Sequence, residues 1–382
     1  MEIVDEQVRK DILAASGNII VSASAGSGKT TIMVNKILKK MSEISDHKTV
    51  AAITFTVKAT EEIKRKSKQI GGNNKFVVMT NDSFVEYEII RPFLIDAFGE
   101  MYNNDFVISY EDSVKSGSFD EGLNILEKSN KLGTYHNIKR NFKFELAKKV
   151  LEQSTAAQEY FKSKYTMIFL DEYQDSDTDM HNLFMYIKNV LLIDLFIVGD
   201  GKQAIYLWRG AQRNIFNQLE NEGMQRFELV TNFRSHFEIV NYANLMHNAS
   251  QFRDDYSKEV THVVHCRTND YVSSINELCE SNIVDKNKNI TIIANINNDA
   301  KDISDNLNAQ GFNFVFIPKT PLDDGSENAN VLKVIACYLL DDNYSVFDIA
   351  EVLRVEQNRT LLNKIDSLLK PQIGRASCRE RV

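Results

Sequence analysis

Ala23-Ser24-Ala25-Gly26-Ser27-Gly28-Lys29-Thr30 is the stretch on which the reading of this 382-residue chain turns. The apolar run before it, Asn18-Ile19-Ile20-Val21-Ser22, predicts a buried strand, and Thr31–Leu38 after it predicts a helix. Strand, loop of small residues, Gly-Lys-Thr and helix, in that order, form the setting of a phosphate-binding P-loop. Gly26 and Gly28 let successive N–H groups turn toward one anion. The start of the helix adds its positive dipole end. Lys29 is expected on the terminal phosphates of ATP, and the Thr30 hydroxyl on Mg2+. Ala23 stands where the strict pattern has Gly, so the loop is a variant. The alternative is a Gly/Ser-rich surface loop.

Further apolar runs lie at 50–54, 76–79, 167–170, 195–198 and 227–230, separated by helical patterns. Buried strands alternating with helices predict an α/β fold with a parallel sheet covered on both faces. The strand signal vanishes between about 82 and 160, a stretch rich in Phe, Tyr, Lys and Asn that reads as a helical insertion. Residues 250–260 read as a polar bridge. A second α/β unit is expected from about Thr261, with strands at 290–294 and 312–317, a helix at 298–310 and helices from there to about 370. The last nine residues, 374–382, are basic and non-periodic. They are expected to be a non-native tail, with a natural basic tail as the alternative.

Hydrophobic residues make up 43% of the chain, enough for a sizeable core, and the net charge is −8. That charge argues against a generally cationic protein but leaves room for a local nucleic-acid groove. The four cysteines have no C-x-x-C spacing, which predicts a reducing cytoplasm and no zinc site. The acidic N-terminus is unlike a signal peptide, and no apolar run is long enough to span a membrane.

The chemistry is expected at strand ends. Asp171 and Glu172 follow the run 167–170, which places Asp171 to hold Mg2+ and Glu172 to act as general base on the attacking water. After the run 195–198, Gln203 is placed to sense the γ-phosphate, while Tyr206 and Trp208 offer faces for base stacking. Trp208 also reads as a core residue. Arg234, after the run 227–230, suits charge stabilisation on the transferred phosphoryl group, or a surface position at a helix start. Phe55, Thr56 and Lys58 mix aromatic, hydroxyl and cation at the end of the second strand, a mixture that suits single-stranded DNA. Two basic runs, 58–68 and 139–149, read either as nucleic-acid contacts or as solvated faces.

Taken in order, Gln7, Ala23–Thr30, Thr54–Ala59, Asp171–Asp175, Gly199–Ala211 and Asn232–Ser235 resemble the motif series of UvrD/Rep-type superfamily 1 helicases. Within that family, Thr80–Phe84, Glu88–Phe93, Leu132–Tyr135 and Met180–Tyr186 resemble the helicase subunit of the Gabija anti-phage system. The resemblance implies two RecA-like lobes with ATP and Mg2+ between them. It divides the chain into a first lobe (1–81 plus 160–240), an insertion (82–159) and a partial second lobe (250–373). It further implies that Gln7 reads adenine, that Thr31 and Phe233 lie beside the base, and that Gln203 and Arg234 meet the γ-phosphate. Phe55, Thr56, Lys58, Thr80, Tyr206 and Trp208 are implied as contacts to single-stranded or partly duplex DNA. Thr31 and Asp82 replace the family's Arg and His. Two further second-lobe motifs do not occur, so the sequence reads as a truncated member with little activity of its own. A nuclease subunit with a Toprim domain is the implied partner. The alternative is a regulatory subunit that senses ATP and DNA ends and controls that nuclease without processive unwinding.

Overall fold

A computed structural model describes residues 3–71, 76–203, 219–247, 262–281, 283–285, 287–317, 327–340, 345–353, 355 and 359–373. Tyr206 and Trp208, the bridge 250–260 and the tail 374–382 lie outside the described residues. The chain divides into two compact units, residues 1–263 and 264–382.

The first unit is built on β1 (Ile19–Ala23), β2 (Thr49–Thr54), β3 (Val77–Thr80), β6 (Tyr165–Leu170), β7 (Asp194–Gly199) and β8 (Gln225–Leu229). They form one parallel sheet in the order β3-β2-β6-β7-β1-β8. Ile20 pairs with Ile197 and Arg226, and Ala52 with Phe169 and Val78. Side chains alternate between two cores. Ile20, Ala51, Ile53, Ile168, Leu170, Leu195 and Ile197 face one, and Ile19, Val21, Val50, Ala52, Met167, Phe169, Phe196 and Val198 face the other. A strand buried on both sides reads as an unbroken apolar run for this reason.

The second of these cores is closed by α1 (Glu6–Ala14), α2 (Lys29–Glu43) and α3 (Val57–Gln69), through Ile12, Ile32, Met33, Val34, Ile37 and Ile63. Lys36 has its stem buried there, and its ammonium donates to the Leu13 and Ala15 carbonyls at 2.9 and 2.5 Å, satisfying the end of α1.

The other core is closed by the insertion together with a helix after β6. Helix α4 (Asn81–Phe84) runs through a π-helical turn, Val85–Ile90, into α5 (Arg91–Phe98). Then come α6 (Phe119–Ser129), α7 (Phe142–Gln153) and α8 (Thr155–Lys164), with α9 (Thr178–Asn189) beyond β6. Phe84, Ile89, Leu94, Leu146, Val150, Phe161 and Phe184 are fully buried in one cluster with Ile53, Ile168 and Ile197. The insertion therefore covers one face of the sheet. It is also not purely helical: β4 (Val107–Ile108) and β5 (Lys131–Leu132) form a short parallel pair. Beyond them, Gly133 passes so close to Val114 that a Cβ would meet its carbonyl oxygen, so a residue larger than Gly has no room.

The second unit departs from expectation. Its described elements are helices, Tyr271–Glu280, Asn297–Ala309, Glu327–Leu340, Val346–Val352 and Arg359–Ile373. Residues 290–294 and 312–317, expected as strands, have no ladder partner among the described residues. Their main chain bonds elsewhere: the Phe314 amide donates to Asn308 Oδ1 at 2.7 Å and its carbonyl accepts from Asn308 Nδ2 at 2.9 Å. Among the described residues no helix is long and apolar enough to cross a membrane.

Candidate nucleotide-binding site

In an open parallel sheet, ligands bind beyond the carboxyl ends of the strands. Here that edge gathers the loops after β1, β2, β6, β7 and β8 around a cleft of 570 Å3. The P-loop rims it. Ala23 ends β1, Ser24 donates its amide to the Leu229 carbonyl, and the Ser27 amide closes a turn onto the Ser24 carbonyl. Gly26 and Gly28 have φ of +72° and +83°, the left-handed region that glycine enters without strain. Gly28 caps α2 with no side-chain bond, so the first amides of that helix face the cleft side without an intrahelical acceptor. That donor set, with Lys29 and Thr30 both lining the cleft, fits a polyphosphate.

The loop is braced from β8. Asn232 donates to the Ala25 carbonyl at 2.6 Å, the Phe233 amide donates to the Gly26 carbonyl at 2.8 Å, and Asn232 Oδ1 accepts from the Arg234 and Ser235 amides. Phe233 and Arg234 thereby line the cleft opposite Lys29 and Thr30.

The acidic wall comes from β6. Asp171 is 5% exposed, and burial, then the neighbouring Glu172 charge, push its carboxyl up to about 6 against the pull of Lys29. A divalent cation beside it would offset both effects, so Asp171 with Thr30 fits a Mg2+ site. Glu172 sits in the left-handed region at φ +51°, unusual for a residue with a side chain. Its amide donates to Asp171 Oδ1 at 3.0 Å and its carboxylate pairs with Lys29 at 2.9 Å. Gln174, 3% exposed, donates to that carboxylate at 2.8 Å and accepts the Asp200 amide at 2.9 Å. Asp200 accepts from Gln203 Nε2 at 2.6 Å. One hydrogen-bonded chain thus runs Lys29–Glu172–Gln174–Asp200–Gln203 across three strand ends.

Other expected site residues lie differently. Gln7 is exposed, donates to Asp11 at 2.8 Å, and is not among the cleft-lining residues. Thr31 is exposed and accepts from Lys66 at 3.4 Å. Phe55 and Thr56 line the nucleotide cleft itself, and Thr56 caps α3 through the Ala59 amide. Lys58 is exposed at the start of α3. The Thr80 hydroxyl caps α4 through the Ser83 amide. In the second basic run, Arg140 bonds Asp179 and Glu145, Lys143 lies against Asp82 and Glu86, and Lys148 and Lys149 pair with Glu152, so these cations are satisfied internally. His236 and His262 stack at 3.7 Å with planes 15° apart beside Glu238.

The sequence profile of the AAA domain family matches residues 6–209. The Gabija protein GajB of Bacillus cereus is 44% identical over 374 residues, covering 96% of this chain and 75% of that protein. The chain belongs to the GajB family of UvrD-like superfamily 1 helicases. Similarity beyond GajB extends to the ATP-dependent DNA helicase Rep of Buchnera aphidicola subsp. Schizaphis graminum, 25% identical over 92% of this chain and 62% of Rep. It extends also to the ATP-dependent DNA helicase PcrA of Staphylococcus epidermidis, 26% identical over 63% of this chain and 39% of PcrA. The chain thus spans three quarters of the GajB relative and less than two thirds of Rep. A member of this family is a P-loop nucleotide-binding protein, and Lys29, Thr30, Asp171, Glu172, Gln203, Phe233 and Arg234 line one cleft.

Proposed function

We propose that this chain carries the ATP-binding lobe of a motor that moves on single-stranded DNA and works in anti-phage defence beside a Toprim-domain nuclease. The observation that carries the motor reading is the bonded chain from Lys29 to Gln203. It connects the phosphate loop to two neighbouring strand ends, so a change at the phosphates is felt at the segment that continues into Tyr206 and Trp208. Lys29 and Glu172 form an ion pair at 2.9 Å. ATP phosphates would compete with Glu172 for Lys29, and the carboxylate so released would be available to take a proton from water. Thr30 and Asp171 would hold Mg2+, and the ion would supply charge neutralisation on the phosphate oxygens. Gln203 and Arg234, which line the same cleft, would meet the terminal phosphate, and Phe233 would take the base.

DNA-stimulated ATP hydrolysis tests this. Glu172→Gln is expected to keep ATP binding, since Lys29 loses a competitor for the phosphates, and to lower turnover by about 10²–10⁴-fold. Lys29→Ala is expected to abolish ATP-dependent behaviour with the fold intact. Unchanged turnover in either variant would sink the assignment. Trp208→Ala is expected to weaken single-stranded DNA binding by about 1–3 kcal/mol. Hydrolysis without strand separation on a forked duplex would favour the regulatory reading over the motor.

A further inference from the structure

Arg9 belongs to no motif, yet it stands at the junction of α1, the P-loop and Phe233. Its Nε and Nη2 donate to the two Asp5 carboxylate oxygens at 2.9 and 3.2 Å, and Nη2 also donates to the Ser27 carbonyl at 2.8 Å. Asp5, 2% exposed, in turn accepts the Val230 and Thr231 amides at 2.8 and 2.9 Å, which fixes the end of β8. Three anchors hold the guanidinium flat, and its carbon lies 5.0 Å from the centre of the Phe233 ring. Phe233 itself is 50% exposed and lines the cleft, and the point where a Cβ on Gly28 would sit is 3.6 Å from Arg9 Nη1 and 3.9 Å from the Phe233 ring.

We infer that Arg9 is a positioning residue for the nucleobase: it backs one face of Phe233 and presents the other, open face as a platform next to the phosphate loop. The inference rests on the reading of the cleft as an ATP site. A half-exposed ring without backing samples several rotamers and must be ordered when a base arrives. A ring already held by a cation over its face, with its own amide bonded to Gly26, is ordered in advance.

The test separates the base from the phosphates. Affinities for ATP and for inorganic tripolyphosphate are measured by competition against a fluorescent ATP analogue, on the folded full chain with its melting temperature checked. Arg9→Ala is expected to weaken ATP by about threefold to tenfold while tripolyphosphate stays within about twofold. Phe233→Ala is expected to show the same selective loss, and adding Arg9→Ala to it is expected to cost little more. Arg9→Lys, which keeps the charge beside Asp5 but loses the flat guanidinium, is expected to fall between. Equal loss of ATP and tripolyphosphate in Arg9→Ala and Arg9→Lys would mean that Arg9 acts through Ser27 on the loop alone, and the inference fails. No loss of ATP affinity overturns it as well. If the unaltered protein binds neither compound, the ATP reading itself is wrong and takes the inference with it.

Discussion

Two stretches with the same sequence signature end differently in this molecule. Met167-Ile168-Phe169-Leu170 and Ile290-Thr291-Ile292-Ile293-Ala294 are both short apolar runs of β-prone residues. The first lies within β6, paired on both sides, with these four residues at most 1% exposed. The second has no ladder partner among the described residues, and Ile293 is 90% exposed. Val315 and Ile317 repeat the second pattern at 78% and 85%. An apolar run states that a segment wants a neighbour. Whether it becomes a strand depends on a partner far along the chain, since β6 is held by β2 and β7 and not by anything local.

Amide hydrogen exchange is the most direct way to break that contrast. Peptides covering 19–23 and 165–170 are expected to be protected by on the order of 10⁴ or more, as fits a central sheet that opens only when the unit unfolds. Peptides covering 290–294 and 315–317 are expected to exchange close to the unprotected rate. Comparable protection in the two sets would mean that the second unit pairs its strands after all.

A core truncation sharpens the same contrast energetically. Phe169 is fully buried, with its ring 5.1 Å from that of Phe196. Phe169→Ala is expected to destabilise the first unit by about 3–5 kcal/mol in urea unfolding, because the sheet cannot collapse into the void between helices on both faces. A loss below about 1 kcal/mol would show the core to be loosely packed.

These cases also show how far the sequence alone could be read. The four inner strands of the main sheet follow from apolar runs, since burial on both faces removes the need for alternation, while the edge strands β3 and β8, only partly buried, follow from shorter runs at 76–79 and 227–230. The cleft residues follow from strand ends, because a parallel sheet sends every strand's last residue to one edge. Strands β4 and β5 were not legible: two residues each carry no period. Asp5 and Arg9 left only an acid–base pair four apart on a helix, a spacing common on solvated faces. Gln7 was expected at the base, but on α1 its side chain meets Asp11 one turn on. Gln174 stood in a recognised string, yet its role as the link between Glu172 and Asp200 needed the sheet order that sets β6 beside β7.

A smaller effect is expected where the second unit does satisfy its main chain. Asn308, near the end of the helix Asn297–Ala309, makes both Phe314 bonds and so does for one residue what a neighbouring strand would do for a row. Asn308→Ala is expected to cost this unit about 1 kcal/mol in urea unfolding, the usual net value of such bonds. A much larger loss would show that the turn between the helix and Phe314 organises the whole unit.

The smallest expected effect is the most discriminating. Ile293→Ser replaces an apolar side chain in the middle of a run that reads, by pattern, as the core of a strand. If 290–294 were a central strand, the change would strip a buried side chain and place an unpaired hydroxyl in the core, at a cost of about 2–5 kcal/mol. At 90% exposure the side chain has little to lose. The stability change is then expected within about 0.5 kcal/mol, with solubility improved because an apolar group leaves the surface. The same change at Ile168, which is fully buried, is expected to be severely destabilising. Urea midpoints of the two variants, read side by side, decide the matter. Two losses of similar size would mean that both runs are strands, and the difference between the two regions would disappear.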